Sequence, residues 1–216
     1  MKKFIWSHRG YRQEGAAENT VASLKAAYLK GYKGVELDLW YLDGNLRLHH
    51  NKPKRFSFSK LPLLRKYLKT YKHKLRYWFD LKNINEKNCD SIFSILKREL
   101  DKWQIPYEQV SLVPYNSNWL EIIPCLNKAK ELFPGINVGV YMDKESIESY
   151  DMKQMKELLV QNSIALLSFD YETINQELIN FFENCTIYAW TVNSEEEIQR
   201  LQKLGITNFC TDKILP

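Results

Sequence analysis

The stretch Gly34-Val35-Glu36-Leu37-Asp38-Leu39-Trp40 alternates apolar with acidic side chains and opens on a glycine. Alternation with a period of two marks a β-strand, in which successive side chains point to opposite faces. Glu36 and Asp38 therefore share one face, and Val35, Leu37 and Leu39 share the other. One reading is an amphipathic strand with its acids in solvent. The other puts two carboxylates side by side on the wall of a site, where their repulsion calls for a cation. A hard divalent ion takes oxygen ligands, and phosphate-ester chemistry would next ask for a histidine. His49 and His50 follow about ten residues later.

Outward from this strand the chain keeps changing period. Short apolar, β-branched or aromatic runs predict strands at residues 3–8, 34–40, 75–82, 109–113, 137–141, 164–169, 186–191 and 207–211. Segments of helical period lie between them, at residues 20–29, 59–70, 86–103, 117–133, 152–161, 174–183 and 195–204. Asn19, Ser59 and Ser194 stand where N-caps belong, and Gly31 and Gly205 stand near helix ends. Strands alternating with helices pair in parallel through right-handed crossovers. Eight of them predict a small α/β (β/α)8 TIM barrel, near the short end of the roughly 200 to 400 residues usual for that fold. A doubly wound open sheet would instead carry a glycine-rich phosphate loop after an early strand, and the sequence has none.

The 216 residues form one expected domain, 1–216, with no low-complexity stretch dividing it. A hydrophobic content of 44% with 26% charged residues argues against disorder. The basic N-terminus does not lead into an h-region, and no run is long enough to cross a bilayer. Cys89, Cys125, Cys185 and Cys210 lack zinc spacing, which fits reduced thiols. The expectation is a cytoplasmic protein without a transmembrane segment. The net charge of +5 is unevenly spread: from Gly44 to Phe79 there is no Asp or Glu but there are eleven Lys and Arg. Such a segment attracts phosphates or anionic headgroups, so peripheral contact with an anionic membrane is an expectation. Nucleic acid is not an expected partner, because the segment has no recognised module or interleaved stacking aromatics.

Chemistry in a barrel collects at the C-terminal ends of the strands. That rule selects His8 and Arg9, Glu36 and Asp38, Asp80 and Lys82, Tyr115 and Asn116, and Trp190. His50 joins them if the Asp43-Gly44 turn folds the chain back over the mouth.

These residues resemble the glycerophosphodiester phosphodiesterase family. The resemblance runs through Ser7-His8-Arg9-Gly10, Ala17-Glu18-Asn19-Thr20, Glu36-Leu37-Asp38, Asp43-Gly44 with His50, Asp80-Leu81-Lys82, Ala189-Trp190-Thr191-Val192-Asn193, and Gly205 to Asp212. It implies a metal-dependent (β/α)8 barrel that hydrolyses a phosphodiester, most simply a glycerophosphodiester giving glycerol 3-phosphate and an alcohol, in lipid metabolism. His8 and His50 would be the acid/base pair. Glu36, Asp38 and Asp80 would hold one divalent cation, Mg2+ or Ca2+. Arg9 and Lys82 would hold the phosphate, Glu18 would brace the first loop, and Trp190 would pack against the substrate, a small-molecule or lipid-derived phosphodiester.

The chain departs from the family pattern in three places. Asp80 replaces the usual glutamate, Asn51 replaces an aspartate, and the segment between Asn51 and Leu75 is shorter than the insertion that commonly caps the site. These departures keep two alternatives open. One is a phospholipase D-like or lysophospholipase D-like enzyme acting on a lipid. The other is a non-catalytic barrel that binds phosphodiesters.

Overall fold

A computed structural model describes residues 2–13, 15–115, 119–149 and 151–216. In it Gly34 opens β2 (Gly34–Leu42) and lies directly beside Trp6 of β1 (Phe4–His8) in a parallel pair. A Cβ at Gly34 would come within 2.5 Å of the Trp6 ring, so the first residue of the deciding stretch is glycine for a steric reason.

Around the ring, β1 is followed by α1 (Val21–Leu29), β2, a short β3 (Asn45–Leu48) and α2 (Leu64–Tyr71). β4 (Arg76–Leu81), α3 (Cys89–Lys102), β5 (Val110–Leu112) and α4 (Ile123–Leu132) come next. β6 (Asn137–Met142), α5 (Lys144–Ser149), α6 (Met152–Gln161), β7 (Leu166–Asp170), α7 (Gln176–Phe181), β8 (Thr186–Trp190), α8 (Glu195–Lys203) and β9 (Asn208–Thr211) complete the chain. Eight strands pair in parallel in the order β1, β9, β8, β7, β6, β5, β4, β2, and the β1–β2 pair closes the ring. This is the expected (β/α)8 barrel.

Side-chain alternation divides the core in two. Trp6, Trp78, Val113, Leu166, Tyr188 and Cys210 fill the barrel interior. The opposite face of each strand, including Val35, Leu37, Leu39, Tyr77, Phe79, Leu167 and Phe209, packs beneath the helices. β2 is therefore buried on both faces, as parallel barrel strands are. The reading that left its acids in solvent fails, since Glu36 is 4% and Asp38 1% exposed.

Several expected bounds shift for identifiable reasons. β2 runs on to Leu42, and the turn at Asp43 and Gly44, both in the left-handed region, sends β3 back antiparallel against it. The helix expected from residue 59 begins at Leu64. Pro62 accepts a hydrogen bond from the Leu48 N–H at 2.9 Å and Leu63 bridges Arg47, so residues 61–63 extend along β3. Ser59 consequently lies in a 3-10 turn and caps nothing. Asn19 is not the cap of α1 either. Thr20 is, with its hydroxyl accepting from the Ser23 N–H. Ser194 does cap α8. The six-residue α5 was not expected from the sequence. The helix expected from residue 117 begins at Ile123, and Ser117, like Asn116, lies outside the described residues. All four cysteines are free, and no described helix is long and apolar enough to cross a membrane.

Candidate active site

The C-terminal ends of the strands open into a cavity of about 460 Å3. Its lining includes His8, Arg9, Glu36, Asp38, His50, Asp80, Lys82 and Trp190, so eight of the nine residues that the family resemblance implies meet there, with Tyr115 beside them. Glu18, the ninth, stands behind the wall and braces Arg9 and Arg12, with contacts of 3.2 and 2.9 Å.

The first loop is built to aim backbone as well as side chains. Arg9 adopts a left-handed backbone (φ 55°), and its N–H donates to Glu36 Oε2 at 3.1 Å. Gly10 follows with φ 77°, where a Cβ would lie 2.5 Å from Ser23 Oγ. The Arg9 side chain passes on to Asp38, with Nε 3.1 Å from Oδ2. Asn19, also left-handed at φ 54°, clasps Asp38 from both sides. Its Nδ2 donates to Asp38 Oδ2 at 2.8 Å, and its Oδ1 accepts from the Asp38 N–H at 3.2 Å. The Tyr67 hydroxyl of α2 donates to the Asn19 carbonyl, tying this clasp to the helical layer.

β4 supplies the remaining charges. Lys82 Nζ sits 2.5 Å from Asp80 Oδ2 and 2.9 Å from Asp38 Oδ1, with its ammonium 4.6 Å from the Tyr115 ring centre. Burial opposes the charged form of Lys82, yet Asp80 and Asp38 together hold its pKa above the ordinary lysine value. Burial works against the Asp38 carboxylate too, but Lys82 and Arg9 outweigh it and lower that pKa. Asp80 is pushed up to about 6 by burial, with Lys82 opposing and Asp38 adding. Glu36 is raised well above the carboxylate range by burial, then by Asp38 and Asp80. Two buried carboxylates and the part-buried Asp80 thus face two fixed cations, and the one acid in excess is met by a tendency of Glu36 and Asp80 to hold a proton.

This arrangement suits a metal ion. Glu36, Asp38 and Asp80 each offer an oxygen within 4.8 Å of the others. Oxygens on opposite sides of one calcium-sized ion, each about 2.4 Å from it, are separated by a similar span. The all-oxygen donor set selects hard cations of the Mg2+ and Ca2+ type. Cys210 also lines the cavity, but burial raises its thiol well above the ordinary value, so it offers no thiolate ligand.

The two histidines differ in setting. His8 Nδ1 lies 3.0 Å from Asp212 Oδ1, while Nε2 turns inward, 3.9 Å from Glu36 Oε2. Burial works against the Asp212 carboxylate, but His8 and Arg12 hold it well below the usual range. An ionised Asp212 fixes the proton of His8 on Nδ1 and leaves Nε2 free to take or give one. His50 reaches the cavity because the β2–β3 hairpin returns, with the His49 N–H donating to the Asp38 carbonyl at 3.3 Å. The His49 ring turns away and bonds the Asn51 carbonyl at 2.6 Å. Burial, reinforced by Arg9, lowers the His50 pKa and favours the neutral imidazole at neutral pH.

Facing these charges is an aromatic wall. Charged residues come from the ends of β1, β2 and β4, whereas Tyr141 of β6, which lies opposite β1 in the ring, stacks on Trp190 of β8 with ring centres 4.9 Å apart. The indole N–H groups of Trp40, Trp78 and Trp190 and the Ser168 hydroxyl are buried around the cavity without a partner among the described residues. Asn19, Arg12 and Asp212 are absent from the sequence-derived site. Asp212 follows β9, so the same strand-end rule, applied to the last strand, finds it.

No family model and no curated protein matches the sequence. Solved structures do match the fold. A glycerophosphodiester phosphodiesterase from Parabacteroides distasonis aligns with a TM-score of 0.76 at 20% identity, covering 98% of this chain and 94% of its own. An Oleispira antarctica phosphodiesterase, solved with the product sn-glycerol-3-phosphate, aligns at 0.73 and 20%, covering 97% and 92%. A Thermotoga maritima glycerophosphodiester phosphodiesterase aligns at 0.74 and 17%, covering 99% and 96%. At such identities the likeness is one of fold.

Proposed function

We propose that the chain is a metal-dependent phosphodiesterase that cleaves a glycerophosphodiester to glycerol 3-phosphate and an alcohol. The observation that carries this reading is the convergence of His8, His50, three carboxylates, Arg9 and Lys82 on one cavity. The fold neighbours support it, one of them holding sn-glycerol-3-phosphate.

A phosphodiester anion repels nucleophiles, so its charge must be offset before attack. Arg9 and Lys82 do this from β1 and β4. A divalent cation held by Glu36, Asp38 and Asp80 would polarise the phosphoryl group and stabilise charge developing on it. Neutral His50 takes the proton of the nucleophile, either water, which gives glycerol 3-phosphate in one step, or a hydroxyl of the substrate's glycerol, which gives a cyclic phosphate that water then opens. His8, with Asp212 fixing its Nδ1 proton, passes a proton through Nε2 to the leaving alkoxide. The aromatic wall excludes water around the alcohol, and the unpartnered Trp and Ser donors offer hydrogen bonds to its oxygens.

A panel of glycerophosphodiesters assayed with EDTA, Mg2+, Ca2+ and Mn2+ tests this directly. Release of glycerol 3-phosphate, abolished by EDTA and restored by a divalent ion, is expected. Absence of turnover on every diester with every metal would leave the non-catalytic barrel as the reading.

Asp212 is a positioning residue in this scheme. Asp212→Asn should lower kcat about 10- to 100-fold, because the amide no longer holds the Nδ1 proton as firmly. KM should be nearly unchanged and the pH profile of kcat displaced. A merely structural Asp212 would lower the amount of folded enzyme while leaving that profile where it was.

A further inference from the structure

The acid-free segment does not act as one surface. Its last cations lie at the far end of the barrel, where Lys72 sits over Trp103, Lys74 over Tyr28 and Arg76 over Phe4, each within 6.0 Å of a ring centre. Its first part behaves differently. Asn51 and Lys52 line the cavity, and the chain rejoins the barrel where Pro62 pairs with Leu48. Residues 51–62 therefore leave and return at the mouth.

This loop carries a single 3-10 turn, Arg55–Lys60, with no buried residue. At its start stands Phe56, 81% exposed, the most exposed large apolar side chain described. Lys52, Lys54, Arg55 and Lys60 surround it in sequence. All four are exposed, and none makes an ion pair among the described residues. Water solvates a bare phenyl ring poorly, and four unpaired cations beside it leave no acid to draw them away. A ring that can enter the acyl boundary, with cations level with phosphates, is the chemistry of interfacial binding.

We propose that residues 52–60 dock on an anionic lipid bilayer and hold the cavity mouth against it. On the phosphodiesterase reading, which this inference presupposes for its substrate, the diester is then one whose alkyl part stays in the membrane while its phosphate enters the barrel. A nucleic acid fits less well. Single strands need successive stacking platforms, and the neighbouring Phe58 is half-buried. A second copy would bring the same positive charge against itself.

The test is sedimentation of the whole protein with vesicles of phosphatidylglycerol and phosphatidylcholine in equal parts, against phosphatidylcholine alone, at low salt. Wild type should pellet with the anionic vesicles and be released by 0.5 M NaCl, a concentration chosen to shorten screening to about 4 Å. Lys54→Glu with Arg55→Glu should lower the partition at least about tenfold. Phe56→Ser should lower it about tenfold and leave the salt dependence in place. Both variants should cleave a soluble glycerophosphodiester at the wild-type rate. The inference is overturned if wild type ignores anionic vesicles, if it binds both vesicle types equally, or if the variants pellet like wild type. It is equally overturned if Phe56→Ser instead removes self-association or binding to an RNA probe measured without vesicles. Vesicle binding without cleavage of any diester would sink the phosphodiesterase reading and leave the docking surface standing.

Discussion

His8→Ala should lower kcat/KM about a thousandfold, within the 10²- to 10⁴-fold range that a positioned acid or base contributes. The size follows from the site's division of labour. Arg9, Lys82 and the carboxylates act on phosphate charge and remain in place, whereas the proton needed by the leaving alkoxide has no second donor at Nε2. The scaffold should survive the change. Arg9 reaches Glu36 through its backbone N–H, which alanine at position 8 does not alter, and Asp212 keeps Arg12 at 2.5 Å and Asn193 at 3.4 Å. Thermal unfolding with and without Ca2+ or Mg2+ should therefore show the same divalent-induced rise in Tm for variant and wild type. A variant keeping more than a tenth of wild-type activity would remove His8 from the chemistry. One that lost both activity and the divalent response would make it part of the metal site.

What the sequence revealed and what it concealed divide by distance along the chain. Glu36 and Asp38 were legible because a strand's period of two is a local property, and so were Asp80 and Lys82. Eight alternations of period implied the barrel, and the barrel's strand-end rule then brought His8, Asp80 and Trp190 to the same mouth. The β3 return was only half legible. Asp43-Gly44 announced a turn, but the two residues by which β2 outruns its expected end depend on pairing with β3. The start of α2 depends on tertiary pairing as well, since Leu63 is held extended by Arg47, sixteen residues earlier. Asn19 illustrates the limit. Its position suggested a cap, whereas its side chain is spent on Asp38, nineteen residues away. Asp212 meets His8 across 204 positions, a separation no periodicity can see. The basic segment was visible as a count of charge, but only the fold separates its mouth-facing part from the cations at the opposite end.

Lys82→Met should produce the largest loss of stability in the site, about 3 to 5 kcal/mol at pH 8 in divalent-free buffer. Lys82 is 8% exposed at its side chain and is the fixed cation shared by Asp38 and Asp80. Methionine preserves most of the volume while leaving buried Asp38 and part-buried Asp80 without that counter-charge. For a chain of this length the loss corresponds to a fall in Tm of roughly 10 °C. Its pH dependence has a definite sign. Asp80 already has a folded-state pKa of about 6, above the ordinary aspartate value, so the folded protein holds more protons than the unfolded chain between the two. Stability from this group therefore declines as pH rises through that window, and removing Lys82 raises the folded pKa further. The deficit of Lys82→Met should be greatest at pH 8 and shrink toward pH 5, where the carboxyls can take up protons. Millimolar Ca2+ or Mg2+ should restore more Tm to the variant than it adds to wild type, because the cation supplies the charge the methionine lacks. A deficit independent of both pH and divalent ions would mean that Lys82 matters for packing alone. It would also remove the electrostatic argument for a cation among Glu36, Asp38 and Asp80.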